Sequence, residues 1–470
     1  MIYGFGNSLN LTLAFFLIPI YIQNLTISEY GKYGLLMIIV QTISRFANLG
    51  LESAMMRSFY DYSELNQGKV YTTTLLMMGS ILGVILIIGY FFGNWIGTLL
   101  FSSSSVELLF IYSAFGIGAL RAIRKIPQTI LRIEEKPKLY VGIEIFNFLL
   151  GFGLIFYLLA FRNLGLYGLL LGTLLSSSIN VSILFLATIR FFKPGILVNE
   201  IKKQFKFAIP LVPSAGSALV LLGSGRYFLE KFHNLEMVGV FTLATQIGGI
   251  SETFIGQALK LSWRPFFFKN YKNSNISARF EKLFNNVAVI SSFINIGISF
   301  SILPFINLFE KSEYLNSSIF IPIILFYQTF WSITPIYNGG IAAARKTSFV
   351  LYNFILGGSI SIILNLLLTP KFGIYGASFT MLFTYLIMFV VIQLYNVKLG
   401  YNYVVWKKHW VIYGIAGIYI LLSALLKGSG TVDFFLRISI ILSYPLVIYI
   451  FSRWIDYDLI TYKWKKNLLK

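Results

Sequence analysis

The chain has no cysteine, only two histidines and few charged residues, which make up 12% of its 470. Without cysteine there is no disulfide, iron–sulfur cluster, thiolate zinc site or cysteine nucleophile. His233 and His409 lie far apart, so a metal centre is not expected, and no cofactor is expected either. There is no phosphate-binding G-x-x-x-x-G-K-[ST] loop. No connection between apolar segments exceeds roughly 20 residues, well short of the ~50 a folded domain needs. ATP hydrolysis within the chain is therefore not expected. What is present is apolar: 57% of residues are hydrophobic and 17% aromatic, with mean hydropathy +0.75. Soluble domains carry about 25% charged residues and lack apolar runs of 20 or more. The composition is that of an integral membrane protein.

A hydrocarbon core of ~30 Å takes about 20 apolar residues per helix. That ruler gives about fourteen membrane helices, over 2–22, 33–56, 71–92, 107–129, 139–160, 165–189, 207–229, 237–259, 281–303, 318–340, 348–369, 373–396, 408–426 and 432–452. The runs are too long and continuous for the alternating strands of a membrane barrel, so the fold is all-α and polytopic. The formal charge of +20 would suggest nucleic acid in a soluble chain. Here it reports orientation instead. With the N-terminus inside, 29 of the 38 Lys and Arg fall on the inner side, 8 lie outside or in outer helix halves, and Arg45 alone sits deep within a span. The positive-inside rule then places both termini in the cytoplasm, and nucleic acid is not an expected partner. The first apolar segment is long and lacks a small-residue cleavage pattern, so it is not read as a signal peptide. No basic residue precedes Lys32, and a few basic residues are expected to be missing from this start.

The sequence repeats itself. Glu29-Tyr-Gly-Lys-Tyr33 matches Met237-Val-Gly-Val-Phe241, pairing Gly31 with Gly239 and Tyr33 with Phe241 at an offset of 208. Leu164-Gly-Leu-Tyr-Gly168 matches Phe372-Gly-Ile-Tyr-Gly376 at the same offset, as do Lys138 and Lys346. One fixed period at well-separated places marks an internal duplication. It implies two homologous six-helix halves of the same orientation, related by an axis along the membrane normal. The expected divisions are 1–205 for the first lobe, 206–400 for the second, and 401–470 for a final helix pair with a basic tail.

Four stretches carry a family resemblance: Ile2-Tyr-Gly-Phe-Gly-Asn-Ser8 with Ile18-Pro-Ile-Tyr21, Ser28-Glu-Tyr-Gly-Lys-Tyr-Gly34, Leu49-Gly-Leu-Glu-Ser-Ala-Met-Met-Arg57, and the paired Gly-Leu-Tyr-Gly and Gly-Ile-Tyr-Gly turns. In these the chain resembles the multidrug/oligosaccharidyl-lipid/polysaccharide flippase superfamily, and within it the O-antigen and capsule repeat-unit branch. The resemblance implies a non-enzymatic flippase of the bacterial inner membrane with two lobes and alternating access. It also implies an undecaprenyl-diphosphate-linked oligosaccharide substrate, membrane lipids as surroundings, a polysaccharide polymerase and glycosyltransferases as partners, and a coupling ion (H+ or Na+) or the membrane potential as driving force. The alternatives are a multidrug or cation antiporter of the same fold, a lipid II flippase, and, from another class, a membrane glycosyltransferase or polymerase. An antiporter needs buried carboxylates, and residues 2–22 hold no acidic group. A transferase needs sizeable outer loops, and those here are short.

Ionisable groups within spans are expensive and usually functional. Counting 1.5 Å per residue, Arg45, Arg121 and Glu252 each fall about 21–22 Å from the outer surface, and Arg124 follows Arg121 by one turn. One reading is a cationic cavity in which Arg45, Arg121 and Arg124 hold a diphosphate, since guanidinium binds phosphate through two parallel hydrogen bonds and stays charged when desolvated, with Glu252 tuning the site. The other reading is a structural Arg45–Glu252 pair, with Arg121 and Arg124 as interfacial anchors. Arg57 either guides the head group or anchors the inner end of its helix. Arg226 and Glu230, one turn apart, form either an outer gate or an ordinary ion pair reaching to the interface. Glu144 is similarly open, and Trp95, Trp263, Trp331 and Trp406 are read mostly as interfacial anchors. Pro210, Pro213, Gly216, Gly223 and Gly225 mark the seventh span as bent.

Overall fold

A computed structural model describes residues 16–101, 107–209, 212–257, 276–309, 317–344, 348–400, 406–426 and 431–454, with residues 259, 263, 267, 314, 346 and 428. Its α-helices are α1 (Leu17–Asn24), α2 (Ile27–Asn48), α3 (Leu51–Asp61), α4 (Glu64–Leu100), α5 (Leu108–Ile123), α6 (Lys125–Ile133), α7 (Pro137–Phe156), α8 (Gly165–Thr188), α9 (Val198–Ala208), α10 (Val212–Phe232), α11 (Leu235–Ser251), α12 (Ile276–Asn307), α13 (Ser317–Trp331), α14 (Thr334–Ala343), α15 (Ser348–Lys398), α16 (Trp406–Leu425) and α17 (Thr431–Trp454). Among the described residues the regular structure is helical throughout, because helices satisfy every backbone group within the segment.

Nine helical stretches are long and apolar enough to cross a membrane, or ten if α9 and α10, bent by 48°, form one span. Of the fourteen expected spans, the thirteen after the first coincide with helices where their residues are described. The 51-residue α15 holds two of them, broken at Gly373. The 16-residue α5 and the stretch Trp410–Leu425 are simply shorter than the rest. Most of span 2–22 lies outside the described residues, as does Pro210.

Local chemistry sets the helix ends. Thr26 and Glu29 form a reciprocal capping box at α2: Glu29 N–H donates to Thr26 Oγ1 (3.2 Å) and Thr26 N–H donates to Glu29 Oε2 (2.9 Å). The other end of α2 stops at left-handed Leu49 (φ 34°) and Gly50 (φ 79°). That break divides the expected span 33–56, and two further spans expected to be continuous are broken. Span 107–129 parts at Arg124 into α5 and α6, and span 318–340 parts into α13 and α14. Proline explains both breaks, because its ring excludes the helical carbonyl four residues back. Pro127 thus ends α5 at Ile123, and Pro335 ends α13 at Trp331. The two prolines are themselves 208 residues apart, so the break belongs to the duplicated unit.

The chain divides into two compact units: Met1–Gln246 with Ser348–Thr384, and Ile247–Thr347 with Tyr385–Lys470. Within the first unit the duplication appears as a symmetric contact. A Cβ on Gly31 would lie 2.1 Å from Leu235 O, and one on Gly239 would lie 2.2 Å from Ile27 O. Ile27 and Leu235 are repeat partners, as are Gly31 and Gly239, so each half presents to the other what it receives. A Cβ on Gly34 would fall 2.1 Å from Thr242 Oγ1, and Thr242 is Gly34's own repeat partner. A contact between a residue and its own equivalent lies on a two-fold axis. Small residues permit this close crossing of α2 and α11.

The repeated turns match in backbone as well. Gly165 has φ 52° and Gly373 φ 54°. A Cβ on Gly376 would lie 2.4 Å from Leu368 O; eight residues of straight helix would separate them by ~12 Å, so the chain reverses there. With ψ −128°, Gly373 occupies a region that side chains essentially do not enter. Gly373→Ala is expected to cost ~1–3 kcal/mol and to lower the thermal midpoint of the detergent-purified protein. Gly142→Ala, whose Cβ would meet nothing within 4 Å, should leave it unchanged or raise it.

In the second unit an aromatic core joins α12, α13, α14, α15 and α16: Phe284 stacks on Tyr337 (5.6 Å), Tyr327 on Tyr385 (4.6 Å), and Phe330 tilts against Phe389 (5.4 Å). Pro304 leaves the carbonyl of Phe300 without its helical donor. Arg437 Nη1 from α17 fills the place at 2.8 Å.

Candidate functional site

Within the first unit, α2 and α5 pack tightly, with Gly118 against Val40 and Ile43. The next turns of each helix bring charge together. Glu52, Arg124, Arg45 and Arg132 all bear electrostatically on the Lys125 ammonium. Arg132 Nη2 donates to Glu52 Oε1, linking α6 to α3, and also to Thr129 Oγ1 at 2.8 Å. Lys125 and Arg124 sit where Pro127 breaks the helix, so the break turns a run of basic residues into a cluster. On the α7 side, Glu144 is buried and accepts from Gln128 Nε2 at 2.6 Å. Arg45, Arg124, Lys125 and Arg132 thus outnumber the carboxylates Glu52 and Glu144, which leaves a net positive site. Its partly exposed position (Arg132 33%, Glu52 26%) keeps those charges solvated.

A second constellation lies further along α2. Tyr21, Tyr30 and Tyr33 form a triangle with ring centroids 5.9–6.0 Å apart, and Tyr30 OH donates to Gln246. Arg121 and Arg226 both bear electrostatically on Tyr33. Arg226 donates from Nε to Thr242 Oγ1 (3.2 Å), from Nη1 to Leu222 O (2.8 Å) and from Nη2 to Thr245 Oγ1 (2.6 Å). Its guanidinium therefore sits beside the two-fold contact at Gly34. Arg45 follows Gly34 by eleven residues of α2, about 16 Å along the helix axis.

The sequence candidates therefore fall in different places. Arg45 and Arg124 join one cluster and Arg226 the other, while Arg121 bears on both Arg124 and Tyr33 and so links them. Glu230 is buried on α10. Glu252 opens a π-helical turn, Glu252–Gln257, in the second unit. Arg57 is exposed on α3, and among the described residues no hydrogen bond or ion pair ties it to either cluster. Of the tryptophans, Trp95 is exposed as an anchor should be, whereas Trp263 is buried and donates from Nε1 to Ile336 O at 3.1 Å. Its interior position reflects the aromatic core around Phe284. The side chain of Trp406 lies outside the described residues.

Sequence reasoning missed Lys125, Arg132 and Glu52, having counted the first two as orientation signals. A usable signal existed: Arg121, Arg124, Lys125, Gln128 and Arg132 recur at helical spacing, a polar stripe that no lipid-facing helix end requires. The duplication sharpens the point. At 208 residues' distance Arg121, Arg124, Lys125 and Arg132 correspond to Thr329, Ser332, Ile333 and Gly340, and Arg45 to Thr253. Two halves of one fold can be built with or without these cations, so the fold does not require them.

A duplicated scaffold of long apolar helices with charge gathered in one half defines a multi-pass membrane protein. The solved structures agree. The chain is similar to the lipid II flippase MurJ in an inward closed conformation (TM-score 0.73, 15% identity, 97% of this chain and 99% of that one). It is also similar to an inward-facing multidrug resistance transporter of the MATE family (TM-score 0.61, 15% identity, 84% and 96%). The family model described as polysaccharide biosynthesis protein matches residues 24–319, and the chain belongs to that family. An uncharacterised membrane protein of Methanocaldococcus jannaschii is 32% identical over 158 residues, 33% of this chain; the chain spans 30% of that relative's length.

Proposed function

We propose that the protein is a flippase moving an undecaprenyl-diphosphate-linked oligosaccharide repeat unit from the cytoplasmic to the outer leaflet of a bacterial inner membrane, by alternating access and without covalent chemistry. The observation that carries this reading is the gathering of Arg45, Arg124 and Lys125 at one site, in the only half of the duplicated fold that has those cations. A diphosphate is the membrane ligand whose charge and geometry suit such a group. Membership of the polysaccharide biosynthesis family supports a lipid-linked glycan as its carrier.

In this scheme residues 1–205 and 206–400 act as two lobes and 401–470 as an added helix pair, with both termini cytoplasmic. The lobes rock about the close crossing at Gly31 and Gly239. Arg45 and Arg124 hold the diphosphate. Arg121, Arg226 and the tyrosine triangle, about 16 Å further along α2, accept the sugars. Arg57 guides the head group inward, and Glu230 steadies Arg226. A coupling ion or the membrane potential drives the cycle, with a polymerase and glycosyltransferases acting on either side of it.

The test is reconstitution in liposomes carrying a fluorescent undecaprenyl-diphosphate oligosaccharide in one leaflet. Protein-dependent appearance of the label in the other leaflet is expected. Transport of lipid II or of organic cations in its place, or sugar transfer by the purified protein, would overturn the assignment.

A further inference from the structure

The ion pair between Glu52 and Arg132 occupies the middle of the cationic cluster, and the surrounding chemistry makes it a poor permanent contact. Arg132 Nε is buried and has no hydrogen-bond partner, although Nη2 is bound to Glu52 and Thr129. Guanidinium binds an oxyanion best through two parallel N–H groups, and here the fork is only partly used. Glu52 has a second place to rest its charge. It lies in the first turn of α3, where the helix dipole favours a carboxylate. The turn before it, Leu49–Gly50, has positive φ at both residues. Four cations, Arg45, Arg124, Lys125 and Arg132, outnumber the two carboxylates beside them, Glu52 and the buried Glu144.

We propose that Glu52 is a displaceable counter-ion. It occupies Arg132 in the substrate-free protein and gives it up to the phosphoanhydride of the lipid-linked substrate, so that Arg132, with Lys125 beside it, belongs to the head-group site. The inference rests on the flippase reading and adds two ligands and a release device to it. The returning carboxylate competes with the bound diphosphate and keeps affinity low enough for the substrate to leave. A permanent structural pair and a displaceable one differ in a measurable way. Losing a structural pair leaves anion affinity unchanged or weakens it through disorder, whereas losing a competitor strengthens it.

The experiment is equilibrium binding of farnesyl diphosphate to the full-length protein in detergent at fixed salt, with inorganic pyrophosphate as a second probe. Glu52→Gln is expected to bind farnesyl diphosphate about tenfold tighter than wild type. Glu52→Asp keeps the charge but shortens the reach by about 1.5 Å, and is expected to bind about threefold tighter. Arg132→Ala should lose about tenfold, and Glu134→Gln, whose carboxylate pairs with Arg190 and Lys136, should match wild type. Tighter binding by Glu52→Gln with wild-type affinity in Glu52→Asp would mean simple removal of negative charge and would overturn displacement. Equal binding by wild type and both Glu52 variants would overturn it while leaving the flippase reading intact. If Glu52→Gln does not fold, Glu52→Asp decides alone, by the same criterion of tighter or unchanged binding. Absence of diphosphate binding in wild type would sink both readings. Pyrophosphate binding as tightly as farnesyl diphosphate would overturn the lipid-linked assignment of the site.

Discussion

Charge reversal at Arg45 is expected to abolish export of the polysaccharide while protein levels stay as in wild type. The side chain is exposed at the end of α2, so glutamate there disturbs little packing. Its effect falls on the cluster, where it places a carboxylate beside Lys125 and Arg124 and opposite an incoming diphosphate. Losing one partner of a close charge pair in a binding site costs ~2–5 kcal/mol, or about 30-fold and more in occupancy. Arg124→Glu is expected to behave alike, and Arg45→Lys to retain part of the activity because it keeps the charge but loses the planar fork. Surface polysaccharide and protein abundance, measured on the same cells, decide the matter: full export in the Arg45→Glu strain would remove the site from this cluster.

A valine at Gly31 or Gly239 produces the largest loss of stability. At either position the added Cβ meets a backbone carbonyl at 2.1–2.2 Å, and a backbone oxygen inside a helix cannot rotate away. Overpacking costs ~1–3 kcal/mol where neighbours can shift; here the upper end or more is expected, with a drop in thermal midpoint and in membrane-inserted yield. Because the contact is reciprocal, the two variants should fail alike. Gly34→Ala separates backbone from side-chain obstruction: its clash is with Thr242 Oγ1, so Gly34→Ala combined with Thr242→Ala should recover most of the stability lost in the single variant. Additive losses in that pair would place the crossing elsewhere.

How much was legible in the chain depended on the range over which each signal acts. Spans were readable because lipid imposes one requirement on every residue of a segment. The 208-residue period was readable because the turn glycines at Gly165 and Gly373 must adopt a backbone that side chains resist. The breaks after Ile123 and Trp331 were present in the sequence as Pro127 and Pro335, but hydropathy averages over a window and passes across a proline. Arg132 and Glu52 were beyond reach for a different reason: they lie 80 residues apart, and only the packing of α6 on α3 makes one the partner of the other.

Sequence alone therefore determined the membrane class, the helical architecture and its duplication, since all follow from composition and period. The tertiary structure decided which cations act together. Arg45, Arg124, Lys125 and Arg132 converge around Glu52, whereas Arg121 and Arg226 gather about Tyr33. Electrostatic partnership depends on distance through space, and helix packing sets that distance independently of separation along the chain.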